Sequence, residues 1–417
     1  MIQRLTRFCQ EVPTLKRLFL LLLCLPVLCG CSFRAENDNG FLIFENPTDL
    51  SVTERSQSEK TNEIRCCWLS YPELNPQQIR QQAAYRAYLQ TLFAPLQRLK
   101  ITDLFVQVRP FCDAIYPSKL FEPSKYVTGK RGEALSFDYL SVILDEAKRA
   151  QMRVHAWINP YRLAVNAADL RSIHPESKTG RLLQQETNAT IQTADGVFLQ
   201  PGSASVQRLI LDGVRELLSS YPVAGIHIDD YFYRKQTGDQ DQKLYQNYTK
   251  QGGSLPKDAW RREQISLLVR SLYRVVHAVH SDCVFSVSPG GNLKETTAAQ
   301  YADIELWGKE DGYCDWLMPQ LYFGFRHETI PFLQLAGDWK RLCTNSNIRL
   351  IGGLALYKAG KEDPYAGKGK AEWVNHSDVL VRQVRQLRKL GYDGFALYSA
   401  HFVNFQEKAC QMLESVL

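Results

Sequence analysis

The sequence predicts an α/β protein built as a closed (β/α)8 barrel with long loops at the C-terminal face of its strands. Three observations carry that expectation. From Ile64 onward eight short β-rich runs alternate with amphipathic stretches across about 350 residues, the spacing of a strand–helix barrel. The longest non-helical segments, 160–202, 231–257 and 357–377, each follow a strand and none precedes one, so all would rise from one rim. An open doubly wound sheet would want a glycine-rich first turn, which Trp68-Leu69-Ser70-Tyr71 does not supply.

Taken in order, the strands are read at 64–71, 103–109, 153–159, 225–229, 283–288, 315–320, 349–354 and 394–398, short runs rich in apolar and β-branched residues. Between them, the periodicity predicts helices over 76–99, 137–150, 205–220, 259–280, 330–343, 379–390 and 405–416, with a weaker one over 296–311. At 417 residues, 45% hydrophobic and 23% charged, the chain can bury a large core.

Ahead of the barrel, Arg4, Arg7, Lys16 and Arg17 precede the apolar run 18–28, which is too short to span a bilayer comfortably and suits a signal peptide. It ends in Leu28-Cys29-Gly30-Cys31, which resembles a bacterial lipobox. The expected organisation is therefore a signal peptide over 1–30, a lipidated Cys31 that opens a polar tether over 31–62, and a barrel over 63–417. Acyl chains on Cys31 would hold the protein to a membrane on its exported side. Losing the signal removes four basic residues and Glu11, so the formal charge falls from +6 to +3 and gives no electrostatic case for nucleic-acid binding. The seven cysteines after Cys31 show no metal-ligand spacing and fit small core residues.

The run 225–233, GIHIDDYFY, is the most informative stretch, because it delivers Asp229 and Asp230 to the end of a strand. Side chains alternate across a strand, so His227 and Asp229 share a face, which in a parallel barrel opens on the mouth where chemistry is done. Other polar groups collect at strand ends: Glu73, Gln107, Arg109, Asp113, His155, Asn159, Arg162, Ser288, Asn292, Gln320, Tyr322, Tyr357, Lys358 and His401, with Tyr231 beside the doublet. Acids, amides and cations mixed with rings suit a sugar, whose hydroxyls need hydrogen-bond partners and whose CH faces need aromatic surfaces.

Glycoside cleavage normally needs two carboxyl groups. Asp229 is expected as nucleophile or base, with Asn159 or Arg109 donating to it so that its pKa stays low and it remains ionised. For the acid, Asp230, Glu73 and Asp113 are the candidates in that order, since 288–292 holds no carboxylate. Arg109, Asn159, Arg162, His227, Tyr231, Gln320, Tyr322, Glu73 and Tyr357 are the expected substrate contacts, whereas His155 and Trp157 are read as packing residues. The eight histidines are scattered singly, so neither a metal nor another cofactor is expected.

These residues resemble the bacterial glycosyl-hydrolase-like family ten. The matching pieces run in order: VQVRP at 106–110, HAWINPYR at 155–162, FLQPG at 198–202, GIHIDDYFY at 225–233, SVSP at 286–289 and MPQLY at 318–322. The resemblance implies a glycosidase-type TIM barrel, often exported or lipid-anchored, with members linked to cell-wall glycans, peptidoglycan among them. Two departures stand out, Arg234 where the family commonly has proline, and LQPG for an LNPG-like turn. A glycan-binding barrel without turnover is the competing expectation.

Overall fold

The computed structural model describes residues 63–417; the expected signal peptide, tether and Cys31 lie outside the described residues. Eight parallel strands close a barrel in chain order: β1 (Ile64–Leu69), β2 (Asp103–Arg109), β3 (Arg153–Ile158), β4 (Gly225–Ile228), β5 (Val284–Val287), β6 (Trp316–Leu317), β7 (Arg349–Leu354) and β8 (Gly394–Tyr398). β8 pairs back onto β1, with Ile64 level with Gly394. The chain thus forms the (β/α)8 TIM barrel that its alternating pattern predicts.

Two apolar layers hold it. Leu104, Val106 and Val108 face the outer helices, while Cys66, Trp68, Phe105, Trp157, Trp316, Met318 and Ile351 fill the inside. Large rings on the inner face leave little void, and each buried aromatic withdraws on the order of 150–250 Å² from water. At Gly225 a Cβ would strike the Val284 carbonyl and the His155 ring, so β4 can lie this close to its neighbours only with glycine there.

Where element boundaries differ from expectation, local chemistry explains it. The helix expected from 76 starts at Gln82, because Asn75-Pro76 opens a turn first: the Gln78 N–H donates to the Asn75 carbonyl at 3.0 Å, and the Asn75 side chain accepts from the Ile79 N–H at 2.8 Å. The weak helix over 296–311 is two pieces, Leu293–Ala299 and Ile304–Lys309, parted at Tyr301 with φ 56°. β6 is two residues long because Pro319 brings no N–H to the ladder.

All three long insertions follow strands, as expected. The one after β3 carries a small antiparallel sheet, Arg162–Ala164, Gly196–Leu199 and Thr190–Thr193, unforeseen in the sequence.

One irregularity matters for the site. Between β2 and β3 the register slips, with Gln107 opposite Trp157 but Arg109 opposite Ile158, so two steps on β2 match one on β3. Such a bulge inverts side-chain parity beyond it.

Candidate active site

At the C-terminal mouth of the barrel lies a hollow of about 230 Å³ lined by Trp68, Trp157, Asp229, Asp230, Tyr231, Ser288, Gln320, Tyr322, Tyr357 and Tyr398. Every lining residue sits on, or just after, a barrel strand. Parallel strands all end at this rim, which is why residues far apart in sequence meet here.

Asp229 is 3% exposed and is held by a relay from neighbouring strands. The Tyr71 N–H donates to Gln107 Oε1 at 2.9 Å, the Gln107 amide donates to Asn159 Oδ1, and Asn159 Nδ2 donates to Asp229 Oδ2 at 2.6 Å. Only the Tyr231 N–H, at 3.4 Å, approaches Asp229 Oδ1, which leaves that oxygen able to carry a proton. Burial, reinforced by the neighbouring charge of Asp230 and opposed by Arg162, pushes the Asp229 pKa up to about 8. The expectation of a low pKa is therefore corrected: one amide donor cannot offset the loss of water around the carboxyl. At neutral pH Asp229 holds a proton.

Asp230 is half-buried and accepts from two amides, Gln300 Nε2 at 3.2 Å and Gln320 Nε2 at 3.3 Å. N–H donors favour a carboxylate over a carboxylic acid. The doublet therefore divides into a buried member that holds a proton and a wetter one held by two amides. That is the pattern of an acid beside a base.

The aromatic wall stays neutral. Burial pushes the Tyr231 and Tyr357 phenols up to about 12 and raises those of Tyr322 and Tyr398 as well. These rings offer O–H groups and apolar faces. The Lys358 ammonium donates to the Tyr322 carbonyl at 2.8 Å and to Asp363 at 2.6 Å, tying the loops after β6 and β7 together.

Of the expected site residues, Asp229, Asp230, Tyr231, Gln320, Tyr322 and Tyr357 line the hollow together. Asn159 stands one hydrogen bond behind it. Arg162 sits behind the wall, its guanidinium 4.3 Å from the Phe111 ring centre and 4.6 Å from that of Tyr231. Four expectations are corrected. Arg109, turned outward by the bulge, is buried over the Phe121 ring and against Gly213 in the helix Ala204–Ser220, so it reaches neither Asp229 nor the hollow. His227 is fully buried one layer below, where Nε2 accepts from Trp68 Nε1 at 3.0 Å and Nδ1 faces Ser286 Oγ at 2.8 Å. It positions the Trp68 ring rather than touching the hollow. Glu73 caps the short helix Tyr71–Leu74 by accepting from the Ser70 N–H at 2.8 Å and is tied to Ser399. Its burial raises its pKa to about 7, yet it does not line the hollow. The other acid candidate, Asp113, accepts from the Phe111 N–H at 2.9 Å and lies in a separate crevice with Lys125 and Arg131.

Trp68, Trp157 and Tyr398 were missed. Parity held the signal for Trp157: it shares the inward face of β3 with His155 and Asn159. Its Nε1 is buried without a partner, as is Ser288 Oγ, and both belong to the lining.

A larger hollow of about 400 Å³ is lined by Arg234, Arg261, Lys294, Glu295 and Tyr301 among others. Arg234 and Arg261 are already paired with Asp195 and Asp241, and Glu295 is its only carboxyl, so the acid–base chemistry belongs to the Asp229 hollow. Among the described residues no group of three or more His, Cys, Asp or Glu side chains is placed to hold a metal ion.

The pattern of the family described as Glycosyl hydrolase-like 10 matches residues 63–374. The glycosyl hydrolase DigH of Escherichia coli O6:H1 (strain CFT073) is 34% identical over 310 residues, covering 68% of this chain and 68% of that protein. The glycosyl hydrolase YngK of Bacillus subtilis (strain 168) is 27% identical over 369 residues, 82% of this chain and 68% of that protein. Among solved structures, the PgaB (BpsB) glycoside hydrolase domain from Bordetella bronchiseptica matches with a TM-score of 0.54 at 14% identity, covering 84% of this chain and 99% of that one. An α-L-fucosidase isoenzyme 2 from Paenibacillus thiaminolyticus matches with a TM-score of 0.52 at 12% identity, over 85% of this chain and 49% of that one. At such identities these two likenesses speak for the barrel fold.

Proposed function

The chain belongs to the glycosyl hydrolase-like 10 family, and from that premise we propose that it hydrolyses O-glycosidic bonds of a bacterial cell-surface glycan, with peptidoglycan strands as substrate. The observation that carries this reading is the split doublet: a buried, protonated Asp229 beside an Asp230 held by two amides, inside a hollow with room for about one sugar ring.

Asp229 is the proton donor to the leaving glycosidic oxygen, reversing the base role its sequence position suggested. Burial, reinforced by Asp230, keeps that proton on Asp229, and Asp230 stabilises positive charge at the anomeric carbon. Trp68, Trp157 and Tyr398 bound the sugar's CH faces, while Gln320 both steadies Asp230 and lines the hollow. Lipidation at Cys31 would tether the barrel to a membrane on the exported side, with 31–62 as the spacer after loss of a signal peptide over 1–30.

Replacing Asp229 with Asn tests the reading. Reducing ends released from purified peptidoglycan glycan strands should fall by about 10²–10⁴-fold while glycan binding persists. Unchanged release would move the acid elsewhere, and wild-type protein that binds strands without releasing any reducing end would make this a glycan-binding barrel. Labelling with radioactive palmitate, lost in Cys31→Ala, tests the anchor.

A further inference from the structure

The hydrolase reading leaves the attacking group unnamed. The attacking group must approach the anomeric carbon from the face opposite the leaving oxygen. Asp229 and Asp230 are consecutive, with Cα atoms about 3.8 Å apart, so both reach the sugar from one wall. Glu73 and Asp113 lie outside the hollow, and among the described residues no third carboxyl lines it. Much of the remaining lining is rings, among them Trp68, Tyr322, Tyr357 and Tyr398.

The floor supplies the second observation. Trp157 Nε1 and Ser288 Oγ have no partner, their residues being 5% and 1% exposed, and both residues line the hollow. An unsatisfied buried donor costs about 1–3 kcal/mol, so a ligand that brings an acceptor to these two groups is favoured. An amide carbonyl oxygen, an acceptor only, would serve both donors without bringing a donor of its own that needs a partner, as a ring hydroxyl does.

Resting on the hydrolase reading, we propose that the hollow takes a 2-acetamido-2-deoxy sugar and that the substrate's own acetamide is the nucleophile. Its carbonyl oxygen is oriented by Trp157 and Ser288, and its methyl lies against the aromatic wall. The carbonyl oxygen bonds to C1 as the C1–O glycosidic bond breaks. The electrons of that bond stay on the leaving oxygen, which takes the proton of Asp229, and the amide N–H proton passes to the Asp230 carboxylate. Water then adds to C1 of the resulting oxazoline as the bond from C1 to the acetamide oxygen breaks and its electrons restore the carbonyl, the water giving a proton to Asp229 while Asp230 returns its own to nitrogen. Both carboxyls end as they began, and the anomeric configuration is retained.

The test uses purified peptidoglycan glycan strands, the same strands N-deacetylated, and deacetylated strands re-acylated with acetyl or trifluoroacetyl groups. N-Deacetylation should cut the rate by about 10²-fold or more, re-acetylation should restore it, and trifluoroacetylation should slow it, because the weakened carbonyl is a poorer nucleophile. The thiazoline derived from N-acetylglucosamine, a stable mimic of the cyclic intermediate, should bind by calorimetry, and more weakly to Trp157→Phe. Deacetylated strands cleaved within a few-fold of the acetylated ones would overturn this inference and leave the hydrolase reading standing. Tight thiazoline binding with no strand cleaved would uphold the acetamide site and move the substrate to another acetamido glycan. Neither cleavage nor thiazoline binding would overturn both.

Discussion

Asp229→Asn should stabilise the protein while disabling it, and the effect should grow with pH. Burial and Asp230 raise the Asp229 pKa from 3.8 to about 8, roughly four pH units. At about 1.4 kcal/mol per unit, that is up to about 6 kcal/mol. The sign follows from proton linkage: the folded state holds this proton more tightly than the unfolded chain. Between pH about 4 and about 8 the unfolded chain has released it and the folded state has not, so stability falls as pH rises across that window. Asparagine keeps the shape and the Asn159 contact but has no proton to lose. The gap in melting temperature between variant and wild type should be near zero at pH 4 and widen to on the order of 10 °C by pH 8, at about 2 °C per kcal/mol for a large domain. Calorimetric or fluorescence melts at half-unit pH steps measure it directly. A gap that stays flat with pH would refute the claim that Asp229 is the buried proton holder.

Other substitutions separate binding from support. Trp157→Phe removes the indole N–H and the five-membered ring while keeping an aromatic face, so kcat/KM should fall about tenfold or more with the fold retained; equal kinetics would show that the indole N–H meets no substrate atom. His227→Phe deprives Trp68 Nε1 of its acceptor and should cost about 1–3 kcal/mol by denaturant titration, with a loss of activity that follows from the displaced ring. Arg109→Met should leave kcat/KM within about twofold, since the guanidinium lies outside the barrel under the helix Ala204–Ser220; a large rise in KM would restore it to the site. Replacing Asp230 with Asn removes the charge that reinforces the Asp229 shift, so any residual activity should lose its alkaline limb at a lower pH than wild type.

The barrel was legible because alternation of strand and helix is a long-range pattern that no single residue decides. All eight strands fall where apolar, β-branched runs placed them, and insertions after strands pointed to the correct rim. The doublet was legible for the same reason, as polar residues at the end of an apolar run. Side-chain direction was less so. Parity counted from Phe105 sends Arg109 inward, and the bulge beside Val108, invisible in one sequence, sends it out. Trp157 shows the opposite failure, since its parity was readable but its bulk suggested packing. The charge state of Asp229 was beyond reach, because it is set by burial together with Asp230, Arg162, Tyr231 and Asn159 rather than by the residue itself. Glu73 looked like a rim carboxylate, and only its ties to Ser70 and Ser399 reveal a structural role.

The most direct measurement is the pH at which Asp229 loses its proton, read from the carboxyl C=O band in infrared difference spectra of wild type against Asp229→Asn. The protonated band should persist through neutral pH and vanish near pH 8. A carboxylate already formed at pH 5 would contradict a proton-donating Asp229 and the mechanism built on it.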